Sequence, residues 1–319
     1  MARINLGKTL AIANPTSHSG RAAAGAEVVR GLLEVYSAAT TGFEMQLTQA
    51  PGDAERIAAQ AGEYDTVIVV GGDGVIHEAV NGLMAVRQDQ RPRLAIVPMG
   101  SGNDFARTLG MVANNPQRAL EQILTGMVRT LDLGHVTSDA CPEGTYFTES
   151  LSFGLDAAVA IDTTNRRAQG TRQEGSGLFV TSAIKLAVRA SKGYPCVARI
   201  NDEEPLSLTS LIFAVLNGPT YGGGFRICPG ADPTDGQLDV CYNVRQPRLP
   251  RLMLLLGLAR FGLHTHSPIV RMRTLREAQV TFAQKTPCQV DGEELGGREF
   301  GIRVEPRALQ VVAPVPASR

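Results

Sequence analysis

Two glycine-rich segments of this 319-residue chain carry acidic residues, and both follow apolar runs rich in β-branched residues. The first is Gly-Gly-Asp-Gly at 71–74, and the second runs from Gly100 to Asp104. Glycine lets a backbone approach an anion closely, and the N-terminus of a following helix favours a phosphate. A carboxylate repels phosphates unless a cation lies between them. Asp73 therefore indicates a metal–nucleotide site, with an N-terminal helix cap as the alternative.

The elements that must position these loops alternate through the first part of the chain. Strand patterns occupy 9–13, 43–47, 67–70 and 93–97, and helix patterns occupy 22–38, 52–62, 75–84 and 116–124. Such alternation predicts βαβ units and an α/β fold with a doubly wound parallel sheet. Open sheets of this kind bind ligands at the carboxyl ends of their strands, so we expect the loops at Asn14, Gly71 and Pro98 to gather at one edge.

The pattern changes near Val128, where short β-like segments are separated by Gly, Pro, Asp and Asn. These segments lie at 128–136, 146–153, 197–201, 206–216, 238–244, 276–282, 286–291, 301–304 and 309–313. Two helices are predicted among them, at 177–191 and at about 249–261. The second part of the chain is therefore predicted to be a separate, mainly antiparallel β domain.

Composition bounds the class of protein. A formal net charge of zero provides no global field that would recruit nucleic acid or an anionic membrane. The five cysteines form no C-x-x-C pair, which argues against zinc and disulfides and fits a reducing compartment. The N-terminus has no signal-peptide pattern, and the longest apolar run, 252–259, is far shorter than the ~20 residues of a membrane span. We expect a cytoplasmic protein that does not bind nucleic acid.

Taken in chain order, a set of motifs resembles the diacylglycerol kinase/sphingosine kinase/YegS-like lipid kinase family, in particular its bacterial soluble diacylglycerol kinase-like branch. The motifs are Asn14-Pro15, Gly-Gly-Asp-Gly at 71–74 with His77-Glu78-x-x-Asn81-Gly82, Pro98-x-Gly-Ser-Gly-Asn-Asp-Phe-Ala-Arg107, Ser152-Phe-Gly-Leu-Asp-Ala157, Asn217 with three glycines at 222–224, Pro229-x-Ala231 with Asp235-Gly236-x-Leu238-Asp239-Val240, and Asp291-Gly292-Glu293. Val75 and Ser101 stand where the family usually has threonine. The first change would remove a hydroxyl contact to the nucleotide, and the second keeps one.

The resemblance implies a fold and a reaction. It implies an NAD kinase/diacylglycerol kinase-like nucleotide-binding domain over 1–127, a C-terminal antiparallel β-sandwich for the lipid over 128–306, and a segment, 307–319, that returns to the first domain. The implied reaction transfers the γ-phosphoryl group of ATP to a lipid hydroxyl, with diacylglycerol as the first candidate acceptor. The alternatives are a sphingoid base or another hydroxylated lipid, then an NAD kinase-like enzyme, then a non-catalytic lipid-binding protein.

The resemblance also implies which residues form the site. The residues assigned to ATP are Asn14, Pro15, Thr16, Gly71, Gly72, Asp73, Gly74, Glu78, Gly100, Ser101, Gly102, Asn103 and Asp104. Asp291 is the expected general base with Glu293 as its acidic partner, whereas the sphingosine kinase branch gives the base role to the position of Asp73. Asn14-Pro15 and Asp291-Gly292 on their own are typical of simple turns.

Metal and partner expectations follow from the same resemblance. Mg²⁺ is expected with ATP, and a structural Mg²⁺ site is expected at Asp235, Gln237, Leu238 and Asp239. A hairpin turn at Asp235-Gly236 is the alternative. The expected partner is a membrane lipid reached by peripheral contact, and a homodimer is implied by the resemblance alone.

A basic segment over 245–276 interleaves arginines with leucines. A helix packed on the core accounts for most of this pattern. The functional alternative is docking at an anionic lipid surface, where each charge contributes ~1 kcal/mol.

Overall fold

The computed structural model describes residues 4–17, 21–168, 181–182, 186 and 193–315. The chain forms two compact units, Met1–Leu131 with Arg307–Arg319, and Asp132–Pro306. No helix among the described residues is long and apolar enough to cross a membrane.

The first unit alternates strands and helices. Its first four strands are β1 (Gly7–Ala13), β2 (Thr40–Leu47), β3 (Thr66–Gly71) and β4 (Arg93–Pro98). Its helices are α1 (Arg21–Val35), α2 (Asp53–Ala59), α3 (Asp73–Ala85), α4 (Asp104–Leu109) and α5 (Pro116–Leu124), with 3-10 turns at Ser37–Ala39 and Gln88–Gln90.

The strands of this unit lie in the order β2-β1-β3-β4, and each neighbouring pair is parallel. The chain moves to one side of β1 to form β2 and to the other side to form β3 and β4. Right-handed crossovers therefore place α1 on one face of the sheet and α2 and α3 on the other. In agreement, α2 packs against α3 and α1 packs against α5. The predicted doubly wound parallel sheet is confirmed.

Antiparallel strands dominate the remainder of the chain. They are β5 (Met127–Ser138), β6 (Cys141–Phe147), β7 (Ser150–Gly154), β8 (Tyr194–Ile200), β9 (Leu206–Ser210), β10 (Ile212–Leu216), β11 (Leu238–Asn243), β12 (Val270–Leu275), β13 (Glu277–Phe282), β14 (Cys288–Val290), β15 (Glu293–Glu294) and β16 (Glu299–Ala313). The helices are α6 (Leu155–Ala168) and α7 (Leu249–Ala259), with a 3-10 turn at Leu263–His266.

The second unit is a sandwich of two antiparallel layers. One layer has the order β12-β11-β10-β7-β14-β15, and the other contains β9, β8, β13 and the first residues of β16. Phe153 of the first layer lies with its ring centroid 5.2 Å from that of Phe282 and 4.7 Å from that of Phe300 in the second layer. Residues alternate between buried and exposed along β13, as expected for a strand with one face on the core. The predicted antiparallel β-sandwich is confirmed.

Two helices cover the outer face of the first layer. Leu155 of α6 and Leu252 of α7 belong to one apolar cluster with Ala214 and Cys241 of the sheet. The β10–β11 pair is therefore buried on both faces, by the sandwich core on one side and by these helices on the other.

The last strand contributes to both units. Phe300 of β16 pairs antiparallel with Val280, whereas Val311 pairs parallel with Leu94 of β4. Leu309, Val311 and Val312 are completely or almost completely buried. The end of β16 thus adds a strand to the sheet of the first unit.

Several element boundaries differ from the expectations. The single strand expected at 206–216 is two strands in different layers, because the N–H groups of Leu211 and Ile212 both turn to donate to Asn243 Oδ1. Residues 146–153 also form two strands, β6 and β7, and 301–304 and 309–313 are joined in β16. Helices α4 and α6 and strands β12 and β15 were not predicted. The helix expected at 177–191 lies outside the described residues, apart from 181, 182 and 186.

Candidate active site

Three loops lie side by side at the carboxyl edge of the parallel sheet. Ala13 pairs with Val70 across β1 and β3, and Gly71 pairs with Pro98 across β3 and β4. The N–H of Asn14 donates to Val70 O at 3.1 Å, which extends the pairing into the first loop. Strand order reverses between β1 and β3, and such a switch point is where open α/β sheets bind ligands.

The Asn14 loop is shaped by its own side chains. Asn14 Oδ1 accepts hydrogen bonds from the N–H and the hydroxyl of Thr16, at 3.0 Å and 2.8 Å. This is an Asx turn, and Pro15 fixes the φ angle within it. Residues 18–20, which follow this turn in the sequence, lie outside the described residues.

The two glycine-rich loops touch each other through their backbones. A Cβ placed on Gly72 would lie 3.0 Å from the Cα of Gly100, and a Cβ on Gly100 would lie 2.6 Å from the Cα of Gly72. Real Cβ atoms essentially never approach backbone atoms as closely as 2.6 Å, and 3.0 Å is tighter than nine in ten real Cβ contacts. The packing of one loop on the other therefore requires glycine at 100 and favours it at 72, in addition to any approach by a phosphate.

Asp73 links the same two loops. It is the first residue of α3, yet its carboxylate accepts the N–H groups of Asn103 at 2.7 Å and Asp104 at 3.0 Å. These donors belong to the start of α4, so the carboxylate caps the helix of the neighbouring loop. A Cβ on Gly102 would lie 2.6 Å from Asp73 Oδ2, so glycine at 102 makes room for this contact.

The Gly100–Asp104 loop is closed by Asn103. Its Oδ1 accepts the N–H of Gly100 at 2.8 Å, and its Nδ2 donates to Gly100 O at 2.7 Å. Asn103 has φ = 53°, a left-handed conformation that asparagine tolerates better than most residues. Asp104 forms an ion pair with Arg107 at 2.6 Å, and Ser101 is half-buried at the end of the loop. These contacts within the protein itself hold the loop in shape.

Glu78 lies in the second turn of α3. Its Oε2 accepts the N–H of Ala54 at 3.2 Å and so caps the start of α2. The expected nucleotide role of Glu78 stays a prediction, and its observed contact is one that stabilises α2 against α3.

In the second unit, Asp291 occupies a tight hairpin between β14 and β15. Asp291 and Gly292 have φ angles of 48° and 98°, and Val290 pairs with Glu293 across the turn. Both central residues have positive φ, as in a type I′ turn. The hairpin reading is therefore correct for the backbone, and Glu293 is exposed beside it.

The Asp291 carboxylate is anchored on the segment between β6 and β7. It accepts the N–H groups of Thr148, Glu149 and Ser150 at 2.8 Å, 3.0 Å and 2.9 Å, and the Thr148 hydroxyl at 3.1 Å. A plain hairpin needs none of these bonds. These bonds account for the break between β6 and β7, because the three N–H groups donate to Asp291 and so do not pair with a neighbouring strand. The sequence pattern did not predict this break.

The Asp235 loop contacts a further acidic residue, Asp132. Asp235 Oδ1 accepts the N–H of Gln237 at 2.9 Å, and the N–H of Gly236 donates to Asp132 Oδ2 at 2.7 Å. Burial, and next the charge of Asp235, raise the pKa of Asp239 to about 6. The sequence reasoning missed Asp132, a buried residue of β5 that is 104 positions away.

Metal binding at the Asp235 loop depends on more than side chains. No group of three or more His, Cys, Asp or Glu side chains within the described ranges is arranged as a metal ligand set. Burial is the main cause of the raised pKa of Asp239, and the charge of Asp235 adds to it; a cation at the loop would offset both effects. The loop fits a hard cation only if backbone carbonyls, such as that of Leu238, and water complete the ligands.

An apolar cavity of about 80 Å³ lies in the second unit between α6, α7 and the sheet. Its walls include Val159 of α6, Leu255 and Ala259 of α7, and Ile212 of β10. The wall is almost entirely apolar, which suits hydrocarbon, and a cavity of this volume holds only a few methylene groups. The sequence did not show this cavity, because its walls come from distant segments.

A buried polar pair borders the cavity. The Tyr221 hydroxyl donates to Asp156 Oδ2 at 2.6 Å, and both residues line the cavity. Burial raises the pKa of Asp156 to about 7, against hydrogen bonds from Tyr221 and Ser152 that lower it. Asp156 is 5% exposed. A neutral carboxyl group is therefore available inside an otherwise apolar region near neutral pH.

Comparison with protein-family models identifies both halves of the chain. Residues 8–136 match the diacylglycerol kinase catalytic domain, and residues 149–313 match the YegS C-terminal NAD kinase beta sandwich-like domain.

Curated relatives are similar over most of their length. The chain is 28% identical over 290 residues to the "Probable lipid kinase YegS-like" of Cronobacter sakazakii, covering 90% of this chain and 92% of that one. It is 30% identical over 278 residues to the "Putative lipid kinase YtlR" of Bacillus subtilis, covering 83% of this chain and 87% of that one. The crystal structure of a "putative diacylglycerol kinase" from Bacillus anthracis has the same fold, with a TM-score of 0.75, 21% identity and 96% of each chain covered.

Proposed function

We propose that this chain, which belongs to the lipid kinase family defined by the diacylglycerol kinase catalytic domain and the YegS C-terminal domain, phosphorylates diacylglycerol to phosphatidic acid. Membership makes it an ATP-dependent phosphotransferase that acts on a lipid; diacylglycerol is the proposed acceptor. The observation that favours an uncharged, hydrocarbon-bearing acceptor is the cavity between α6 and α7, whose wall is apolar and whose only acid among the described lining residues, Asp156, is easily neutral.

The first unit supplies the nucleotide site in this proposal. The N–H groups in the first turn of any α-helix have no acceptor within that helix. Those of α3 lie at the switch point of the sheet, where they can bind an anion. We assign the ATP phosphates to this turn and to the loop at Gly100, with Asn14 and Thr16 beside them. Because Asp73 and Asn103 hold the loops before binding, little ordering entropy is lost when ATP binds.

Magnesium is expected to neutralise the phosphate charge that develops during transfer. Asp73 and Asp104 are the acids nearest the proposed phosphate site, and Asp235, Asp239 and the carbonyl of Leu238 are the proposed holders of a structural cation. The repulsion between Asp235 and Asp239 supports the second assignment.

We propose Asp291 as the general base that takes the proton of the lipid hydroxyl, with Asp73 as the alternative. A base contributes only if its carboxylate is held in a fixed orientation. The backbone N–H groups of Thr148 and Ser150, between β6 and β7, fix Asp291 in this way. Exposed Glu293 is the proposed helper of Asp291, through its charge.

The test is transfer of label from γ-labelled ATP to a panel of lipids in mixed micelles, with NAD included. Labelled phosphatidic acid is the expected product. A labelled sphingoid base or other lipid as the main product would overturn the acceptor, and labelled NADP would overturn the lipid reaction itself. Absence of label with every acceptor, in a chain that still binds ATP, would favour a non-catalytic lipid-binding protein.

A further inference from the structure

The outward surface of α7 is apolar where the exposed face of a helix is ordinarily polar. Leu254 is 61% exposed and Phe261 is 70% exposed. Leu254 lies on α7 with exposed Gly257 after it, and Phe261 lies two residues beyond the end of the helix, in the turn that leads to the 3-10 turn at Leu263–His266. Leu249, the first residue of α7, and Leu263, in the 3-10 turn that follows the helix, are also exposed, at 44% and 50%. We refer to Leu249, Leu254, Phe261 and Leu263 as the α7 surface.

The α7 surface is not required to hold the helix on the protein. Leu252 and Ala259 on the opposite side are buried and already pack on the sheet. Exposed apolar side chains gathered on one element mark a surface that binds something.

Three arginines stand at the start of the same helix. Arg245, Arg248 and Arg251 are exposed and line one surface depression. Across the described residues, none of the three forms an ion pair. The segment from 245 to 276 contains seven arginines and no Asp or Glu. Of these arginines, Arg273 pairs with Glu203 from outside the segment. At the start of α7, positive charge and exposed apolar area occur together, and the segment itself supplies no acidic residue.

We propose that the α7 surface docks on an anionic phospholipid bilayer. In this arrangement Leu254 and Phe261 enter the acyl boundary, and Arg245, Arg248 and Arg251 contact headgroup phosphates. A second copy of this chain is a poorer occupant, because a symmetric contact through this surface would bring arginine against arginine.

Docking by α7 would also serve the proposed reaction. Leu255 and Leu256, on the inner side of the helix, line the apolar cavity. The helix that meets the bilayer is thus the same helix that forms a wall of the proposed acyl-chain site. This part of the inference rests on the proposed lipid kinase function, whereas the docking itself does not.

Co-sedimentation of the full chain with vesicles tests the proposal. We expect binding to vesicles that contain phosphatidylglycerol, weak binding to phosphatidylcholine alone, and a decrease with added salt. The double variant L254Q/F261Q should lower partitioning at least tenfold. The double variant R248Q/R251Q should lower it about fivefold for each arginine removed. V35Q is the matched control, because Val35 of α1 is 75% exposed and lies in the other unit.

Phosphorylation of a short-chain, water-soluble diacylglycerol separates docking from catalysis. L254Q/F261Q should keep wild-type activity on this acceptor while losing vesicle binding. Wild-type vesicle binding without activity on any lipid would reject the proposed function and leave the docking standing. Equal vesicle binding by wild type and L254Q/F261Q would overturn the docking. The docking would also be overturned if the wild type formed a dimer that L254Q/F261Q abolished while vesicle binding stayed unchanged. That result would identify a second copy of the chain as the occupant of the α7 surface.

Discussion

At the scale of single residues, the acids expected to meet ligands are also held by backbone N–H groups. Asp73 caps α4 and Asp291 anchors the segment before β7. A carboxylate with such donors is fixed in orientation, as both catalysis and metal binding demand. Substitution of either residue therefore changes the local structure as well as the chemistry, and a test must separate the two effects.

Asp291→Asn should lower kcat by at least about 100-fold, the range of a missing general base, with little change in the affinity for ATP. Asp73→Asn should instead weaken ATP binding, because it disturbs the loop at Asn103. Steady-state kinetics together with ATP titration by calorimetry measure both. If Asp73→Asn lowers kcat with unchanged ATP affinity while Asp291→Asn remains active, the base is Asp73.

Gly100→Ala should destabilise the first unit by about 1–3 kcal/mol, because the new methyl group meets the backbone of Gly72. Denaturant unfolding and ATP binding should both report the change. Gly31→Ala is the matched control, since a Cβ there has no neighbour within 4 Å and alanine suits a helix better. Equal stability of the two variants would contradict the contact between the loops.

Asp156 predicts a specific pH dependence of stability. Its pKa in the folded protein, about 7, lies above the ordinary value of 3.8, so the folded state keeps the proton longer than the unfolded state. The contribution of Asp156 to the free energy of unfolding is therefore full below about pH 4 and is lost as pH rises to about 7. The size is on the order of 4 kcal/mol.

Asp156→Asn removes this titration. Denaturant unfolding at several pH values between 4 and 8 should show the wild type losing stability relative to the variant as the pH rises. Parallel curves for the two proteins would show that Asp156 does not titrate in this range.

At the scale of elements, α7 has two functions on its two sides. Its inner side closes the cavity, and its outer side forms the α7 surface. Substitutions on this helix should therefore separate acceptor selection from membrane contact.

Ala259→Phe should fill part of the cavity and reduce phosphorylation of long-chain diacylglycerol several-fold more than that of a short-chain acceptor. The reason is steric, because Ala259 is buried in the cavity wall. Gly257→Ala, at an exposed position of the same helix with open space around it, should leave the chain-length preference unchanged. An unchanged preference in Ala259→Phe would remove the cavity from the proposed acyl-chain site.

At the scale of the whole molecule, the chain begins and ends in one unit. Val311 pairs with Leu94, and Arg91 donates to the carbonyl of Ala308 at 2.6 Å. The stability of the first unit therefore depends on residues that are about 200 positions away in the sequence.

Val311→Ala should lower the free energy of unfolding by about 2 kcal/mol, because a fully buried side chain loses two methyl groups. Hydrogen exchange should locate the loss in β4 and its neighbours. Val315→Ala, at a 55% exposed position four residues on, serves as the control and should have no effect. Faster exchange confined to the second unit would show that β16 does not stabilise the first sheet.

Local patterns were sufficient to predict the fold class. Alternation of apolar strands with amphipathic helices predicted the parallel sheet, and short alternating strands predicted the antiparallel domain. Those patterns fail where a tertiary contact interrupts a strand. Asn243 divides 206–216 into β9 and β10, and Asp291 holds the break between β6 and β7. Neither partner is near in sequence, so no local signal reports them.

The sequence by itself determined that loops at Asn14, Gly71 and Gly100 follow neighbouring parallel strands, because strand order limits where such loops lie. Only the tertiary structure decided that Gly72 and Gly100 touch, that Asp73 caps the neighbouring helix, and that Asp132 joins the Asp235 loop. The tertiary structure also creates the apolar cavity and leaves Leu254 and Phe261 exposed. Motifs specify residue types and spacing, whereas contacts and burial depend on how distant segments pack.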